Sequence, residues 1–282
     1  MKKKIFFAAL ITLSVSIIIF SCKKEEEAEP DTDTQSAIDY TKSEEAVSST
    51  FSTVNHYGIN QEEIKSLKGT LVDTVIISVD TIGDYQSNYW PRRLTLDFGT
   101  GVICFDGHTR KGILYAVFSN HWRPDTIIAG TNAIVTFEDF YVDNIQRLGT
   151  FTITYEGSPN GGPKYTVDAA NAKLVFSNED EISWTSTRTT EWIEGYSTTL
   201  DFSDDVYETT GSVSGVNKKG IDYTGNITTP IRTEKGCLYG VTKGVVEITP
   251  RDKATRTVDY GDGECDNKAK LSINGVSINF VF

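Results

Sequence analysis

The feature that most constrains the fold is a two-residue alternation in the middle of the chain. Over residues 150–155, Phe151, Ile153 and Tyr155 face one way, and Thr150, Thr152 and Thr154 the other. Successive strand side chains point to opposite faces, so one apolar and one hydroxylated face describe a half-buried strand in an antiparallel sheet. Similar runs, rich in β-branched and aromatic residues, occupy 70–80, 94–98, 110–118, 164–168, 173–177, 182–194, 206–213, 221–228, 238–249 and 255–260. Their spacing of roughly 10 to 15 residues, with polar turns between, predicts a meander rather than βαβ units. The last run is a hairpin: Leu271-Ser272-Ile273 and Val276-Ser277-Ile278 flank Asn274-Gly275, a pair suited to the positive φ angles of a type I′ turn. Val276, Ile278, Phe280 and Phe282 form its apolar face.

Ahead of the strands, Ala46, Val47, Phe51 and Val54 recur at helical spacing over 41–55, with Gly58 as a stop signal. A second turn over 61–67 would have Asn60 as its N-cap and Glu63 at the third helical position. The expectation is an all-β protein, an extended antiparallel β-meander or sandwich, with one or two short N-terminal helices. Segments 1–21 and 22–36 read as leader and tether, 37–68 as helical, and 69–282 as the antiparallel β domain. Within that domain DFGTGVICFDG, from Asp97 to Gly107, is echoed by DYGDGECDN, from Asp259 to Asn267, which points to two related halves, 69–160 and 161–282.

The leader carries Lys2, Lys3 and Lys4 followed by an apolar run from Ile5 to Phe20, the shape of a secretory signal. That run is short of the ~20 residues that a membrane span needs. It ends in Ile19-Phe20-Ser21-Cys22, which resembles the lipobox of bacterial lipoproteins, with Phe20 bulkier than the usual residue there. The resemblance implies that Cys22 becomes the acylated N-terminus, and two or more acyl chains give stable anchoring. Lys23-Lys24-Glu25-Glu26-Glu27 is similar to the export signal that sends Bacteroidetes-type lipoproteins to the cell surface. Asp73-Thr74-Val75, Asp80-Thr81-Ile82 and Asp125-Thr126-Ile127 resemble the O-glycosylation sequon of the same organisms.

Without the three leader lysines, 24 Lys+Arg stand against 39 Asp+Glu, a net −15. Such a charge excludes nucleic acid as a partner, because that binding is driven by phosphate neutralisation. Attachment to the membrane then falls to the N-terminal lipid, and the acidity serves solubility.

Cys104, Cys237 and Cys265 remain in an oxidising compartment. The midpoint of 237 and 265 falls in the turn about Pro250 to Lys253, so a symmetrical hairpin sets Cys237 opposite Cys265 at its open end. The other pairing is Cys104 with Cys265. Asp259, Asp262 and Asp266 concentrate hard oxygens of the kind calcium takes, without the EF-hand spacing; as a tight turn, the same acids cap amides. His56, His108 and His121 stand in no catalytic motif, and no G-x-S-x-G or H-E-x-x-H pattern is present. Trp184, Arg188 and Trp192 share a face if 182–194 is one strand. They form either a core stripe, the default for strand aromatics, or a stacking platform for a sugar.

The signal and tether, the helical segment, the Thr-rich strands with the DFGTGVICFDGHTRKG turn and the DYGDGECDNKA finish together resemble Bacteroidetes-type outer-membrane lipoproteins of unassigned activity. That resemblance implies a lipid-anchored outer-membrane location facing the cell surface. The expected function is a non-enzymatic binding or interaction module for a glycan or protein ligand. The alternatives are an extracellular glycan-active enzyme or a periplasmic carrier or assembly lipoprotein.

Overall fold

A computed structural model describes residues 31, 33–60, 75–82, 90–104, 106–198, 201 and 203–281. The signal and lipobox, the expected second helical turn and the first acids of the sequon series fall outside them. One helix, α1 (Gln35–Ile59), precedes fourteen strands. These are β1 (Ile76–Thr81), β2 (Arg92–Asp97), β3 (Val102–Ile103), β4 (Thr109–Phe118), β5 (Asn132–Val142), β6 (Ile145–Gly157) and β7 (Lys164–Val175). There follow β8 (Glu181–Glu194), β9 (Val206–Val216), β10 (Asp222–Glu234), β11 (Val241–Pro250), β12 (Arg256–Asp262), β13 (Lys268–Ile273) and β14 (Val276–Val281). All lie in one sheet in chain order, every pairing antiparallel, with only the short β3 branching off to pair with β4. The meander is therefore continuous across the boundary between the two expected halves.

The sheet wraps α1. Thr41 of α1 meets Tyr260 of β12 (hydroxyls 3.2 Å apart), and Ser49 meets Arg110 of β4 (3.2 Å). Eight residues separate Thr41 from Ser49, ~12 Å along a helix. On a flat sheet β4 and β12 would be eight strand spacings apart, ~38 Å. Only a curved sheet brings both to one helix. Its inner face is the core: Leu94, Leu96, Leu114, Ala116, Val135, Ile153, Val167, Ile182, Val246, Ile248 and Val258 are all buried there.

Charged side chains also point inward. Arg110, Arg147, Arg188 and Arg256 are buried, and each reaches α1 or the residues leading into it. Arg256 Nη2 donates to both carboxylate oxygens of Asp31 at 2.7 Å, and Arg188 Nε donates to Glu44 Oε2 at 2.8 Å. Arg147 Nη2 donates to Glu45 Oε1 at 3.1 Å. Asp33 accepts from Lys219 and Lys253, which holds its carboxyl below the usual range although burial alone would raise it. These pairs show that Asp31 and Asp33, expected to belong to the tether, are docked. The first half of α1 is buried through polar contacts that apolar periodicity does not register.

The other end of α1 corrects one sequence signal. Gly58 lies inside the helix, where a Cβ would stand 2.8 Å from the rings of both Phe118 and Trp122. Its role is close approach, not termination. Asn60 closes the helix: its backbone N–H and side-chain Nδ2 both donate to the His56 carbonyl.

β5 is the strand that sequence alternation missed. Asp139 takes a positive φ of 44°, opposite a register shift between Lys111 and Ile113 of β4. A Cβ on Gly112 would lie 1.9 Å from the Asp139 carbonyl oxygen. The bulge thus depends on that glycine, and it breaks the two-residue period in the FEDFYV run.

The echoed turns share geometry as well as letters. Gly99 N–H donates to Asp97 Oδ1 at 2.8 Å, and Gly261 N–H to Asp259 Oδ1 at 3.0 Å. In both, the following aromatic, Phe98 or Tyr260, is buried. Cys237 and Cys265 are joined in a disulfide with Cα atoms 5.6 Å apart, beyond the open end of the β11–β12 hairpin. Cys104 is buried and outside it.

Candidate functional site

The helix occupies the inner side of the sheet, and a shallow trough lies on the outer side, across β7 to β11. Strand register builds it. Thr185 pairs with Ser214, Ser214 with Thr224, and Thr224 with Thr249, so four hydroxyls stand in a row across four strands. Thr249 Oγ1 continues the row to Thr255 Oγ1 at 2.9 Å. A second row runs Ser183, Val216 and Asp222, with Asp222 in an ion pair to Arg251. The two rows bound a shallow trough of about 450 Å³.

Its rim is set by a bulge. The β7–β8 register shifts between Ala169 and Ala172, and Asn171 takes a φ of 50° and lines the trough. A Cβ on the facing Gly149 would lie 2.8 Å from the Asn171 carbonyl oxygen, so that glycine makes room for the bulge.

Hydroxyls donate and accept, and Asn adds an amide, so the trough offers directional hydrogen bonds of both kinds. Among its lining residues Asp222 is the one carboxylate, and no histidine or cysteine is present. A glycosidase needs two carboxylates flanking the bond it cleaves. The arrangement can hold a ligand, but it lacks a carboxylate pair for acid–base chemistry.

The residues singled out from sequence fall elsewhere. Trp184, Arg188 and Trp192 do share one face of β8, the inner one, and all three are buried. Trp184 borders the trough, and its Nε1 has no hydrogen-bond partner. Arg188 is committed to Glu44, and Trp192 Nε1 donates to Asp205 Oδ1 at 3.1 Å. The three form part of the core, and burial removes them as an exposed platform.

Asp259, Asp262 and Asp266 do not converge. Asp259 caps the Gly261 amide, and Asp266 accepts from the Lys268 amide and ammonium. Asp262 pairs in the ladder with Lys243. Among the described residues no three His, Cys, Asp or Glu side chains come together as a metal-binding group. The histidines are dispersed: burial pushes His56 down to about 4, His108 Nδ1 lies 2.6 Å from Asp143 Oδ2, and His121 packs on Trp90.

Sequence reading missed both the trough and a buried acid. Burial pushes Asp205 up to about 7, against hydrogen bonds from the Tyr207 hydroxyl and Trp192 that favour its charged form. The trough had a faint signal in the alternate Ser and Thr positions of 182–194 and 221–228. Register alone aligns them.

Comparison with protein-family models, curated proteins and solved structures found no match to this chain.

Proposed function

We propose that the protein is a lipid-anchored outer-membrane module that binds a ligand on the outer face of its sheet and does no covalent chemistry. The observation that carries this reading is the division of labour between the faces. The inner face is filled by α1 and its ion pairs, while the outer face presents the hydroxyl rows and the trough. A carrier of lipid or lipoprotein would need a long apolar groove, and the filled inner face counts against one. The lone carboxylate of the trough counts against a glycan-active enzyme. A neutral, hydroxylated ligand such as an oligosaccharide suits the rows better than an ion does, because their donors and acceptors carry no net charge.

Anchoring is read from the lipobox-like Ile19-Phe20-Ser21-Cys22. Labelling with radioactive palmitate should mark the wild type and fail on Cys22→Ser. Protease added to intact cells should degrade the protein; protection would end the surface reading. Calorimetric titration with a panel of soluble oligosaccharides tests the trough. Binding that Thr224→Lys abolishes is the expected result, and binding indifferent to that change would place the ligand elsewhere.

A further inference from the structure

The two edges of the sheet are built differently. β1 carries Asp80, which lies 3.7 Å from Arg93 on the neighbouring strand. A charge on an edge strand resists the addition of another strand. β14 reads VSINFV from Val276 to Val281, with no charge, no proline and no bulge in its pairing with β13. Among the described residues, none of the usual guards against strand addition is present on β14.

The turn settles which backbone groups β14 leaves open. Asn274 and Gly275 have φ of 50° and 80°, and Ile273 pairs with Val276 across them. In such a two-residue hairpin that pair exchanges hydrogen bonds, and every second pair after it does the same. Val276 and Ile278 therefore bond inward to β13. Ser277, Asn279 and Val281 direct their N–H and C=O groups to the open edge. The inner apolar row also runs off this edge. Ile273 and Leu271 are 7% and 2% exposed, while their partners Val276 and Ile278 are 68% and 47% exposed.

We propose that β14 is a dimerisation edge, pairing antiparallel with β14 of a second copy about a two-fold axis at Asn279. Asn279 then faces Asn279, and Ser277 faces Val281 in both directions. Each of these residues contributes one donor and one acceptor, so the open groups of both copies are satisfied. The side chains brought opposite one another are uncharged. For a chain of net charge −12 this is decisive, since copies repel over their acidic surfaces and like charges directly opposed across strands are unfavourable. Val276 and Ile278, the exposed end of the row that Leu271 and Ile273 begin, then lie beside the second copy. A two-fold contact is self-complementary and closes at two copies, whereas β14 added to β1 would propagate.

Cross-linking of the full-length protein tests the register. Directly opposed hydrogen-bonded residues are ~5.5 Å apart at Cα, within disulfide range. Asn279→Cys should oxidise to a covalent dimer, and Ser78→Cys on β1 should not. In sedimentation the wild type should show a concentration-dependent dimer. Asn279→Lys, which sets two like charges on the axis, should be a monomer with an unchanged circular dichroism spectrum. A wild type that stays monomeric, an Asn279→Lys variant that dimerises equally, or a cross-link between the β14 and β1 cysteines in a mixture would each overturn the proposal.

Discussion

Asp205 accepts hydrogen bonds from Trp192 Nε1 at 3.1 Å and the Tyr207 hydroxyl at 3.0 Å, yet burial pushes its carboxyl up to about 7. Between its ordinary value of 3.8 and about 7, the folded chain holds a proton that the unfolded chain releases. Stability therefore falls as pH rises through that window, and the deficit is complete above it. Asp205→Asn keeps the site neutral at every pH. Its urea midpoint, relative to wild type, should be more favourable at pH 8 than at pH 4; an offset equal at both would refute the account. His56 acts in the opposite direction. With its folded value depressed from 6.5 to about 4, it withdraws stability as pH falls through that range.

α1 is the element around which the sheet curves, and its ion pairs are unequal. Arg188 and Glu44 are both buried, whereas Glu45, the partner of Arg147, is half exposed. Arg188→Met leaves the Glu44 carboxylate buried without its cation and should cost about 3–5 kcal/mol in urea denaturation. Adding Glu44→Met should recover most of that loss; no recovery would mean that Arg188 acts through packing alone. Only part of this element was legible in the sequence. Ala46, Val47, Phe51 and Val54 announced a helix because their burial is apolar. Ser36, Asp39 and Glu44 are equally buried but answer to polar groups distant in sequence, such as Asn217 Nδ2 in the β9–β10 turn donating to Ser36 Oγ at 2.8 Å. Those partners have no local signature.

For the whole molecule, the all-β meander was readable because stretches such as 150–155 and 182–192 keep a two-residue period. β5 escaped because its bulge at Asp139 interrupts that period. The trough escaped for a different reason: Thr185, Ser214, Thr224 and Thr249 become one row only through the pairing of four strands. The Cys237–Cys265 bond was legible from turn symmetry, and it ties residues 28 apart. Replacing both cysteines by serine should cost about 3–4 kcal/mol in the chain-entropy model, read as a shift of the denaturation midpoint. An unchanged midpoint would mean that the hairpin and its neighbours already confine the loop.

The sequential strand order sets a timetable for folding. Each strand from β4 onward can pair with its predecessor as soon as it is available, across a short loop, and such local closures are fast. α1 has no such neighbour. Its leading Asp31 meets Arg256 across 225 residues, and Ser49 reaches Arg110 across 61. The N-terminal helix thus waits longest for its place, and the sheet locks around it only when β12 has arrived.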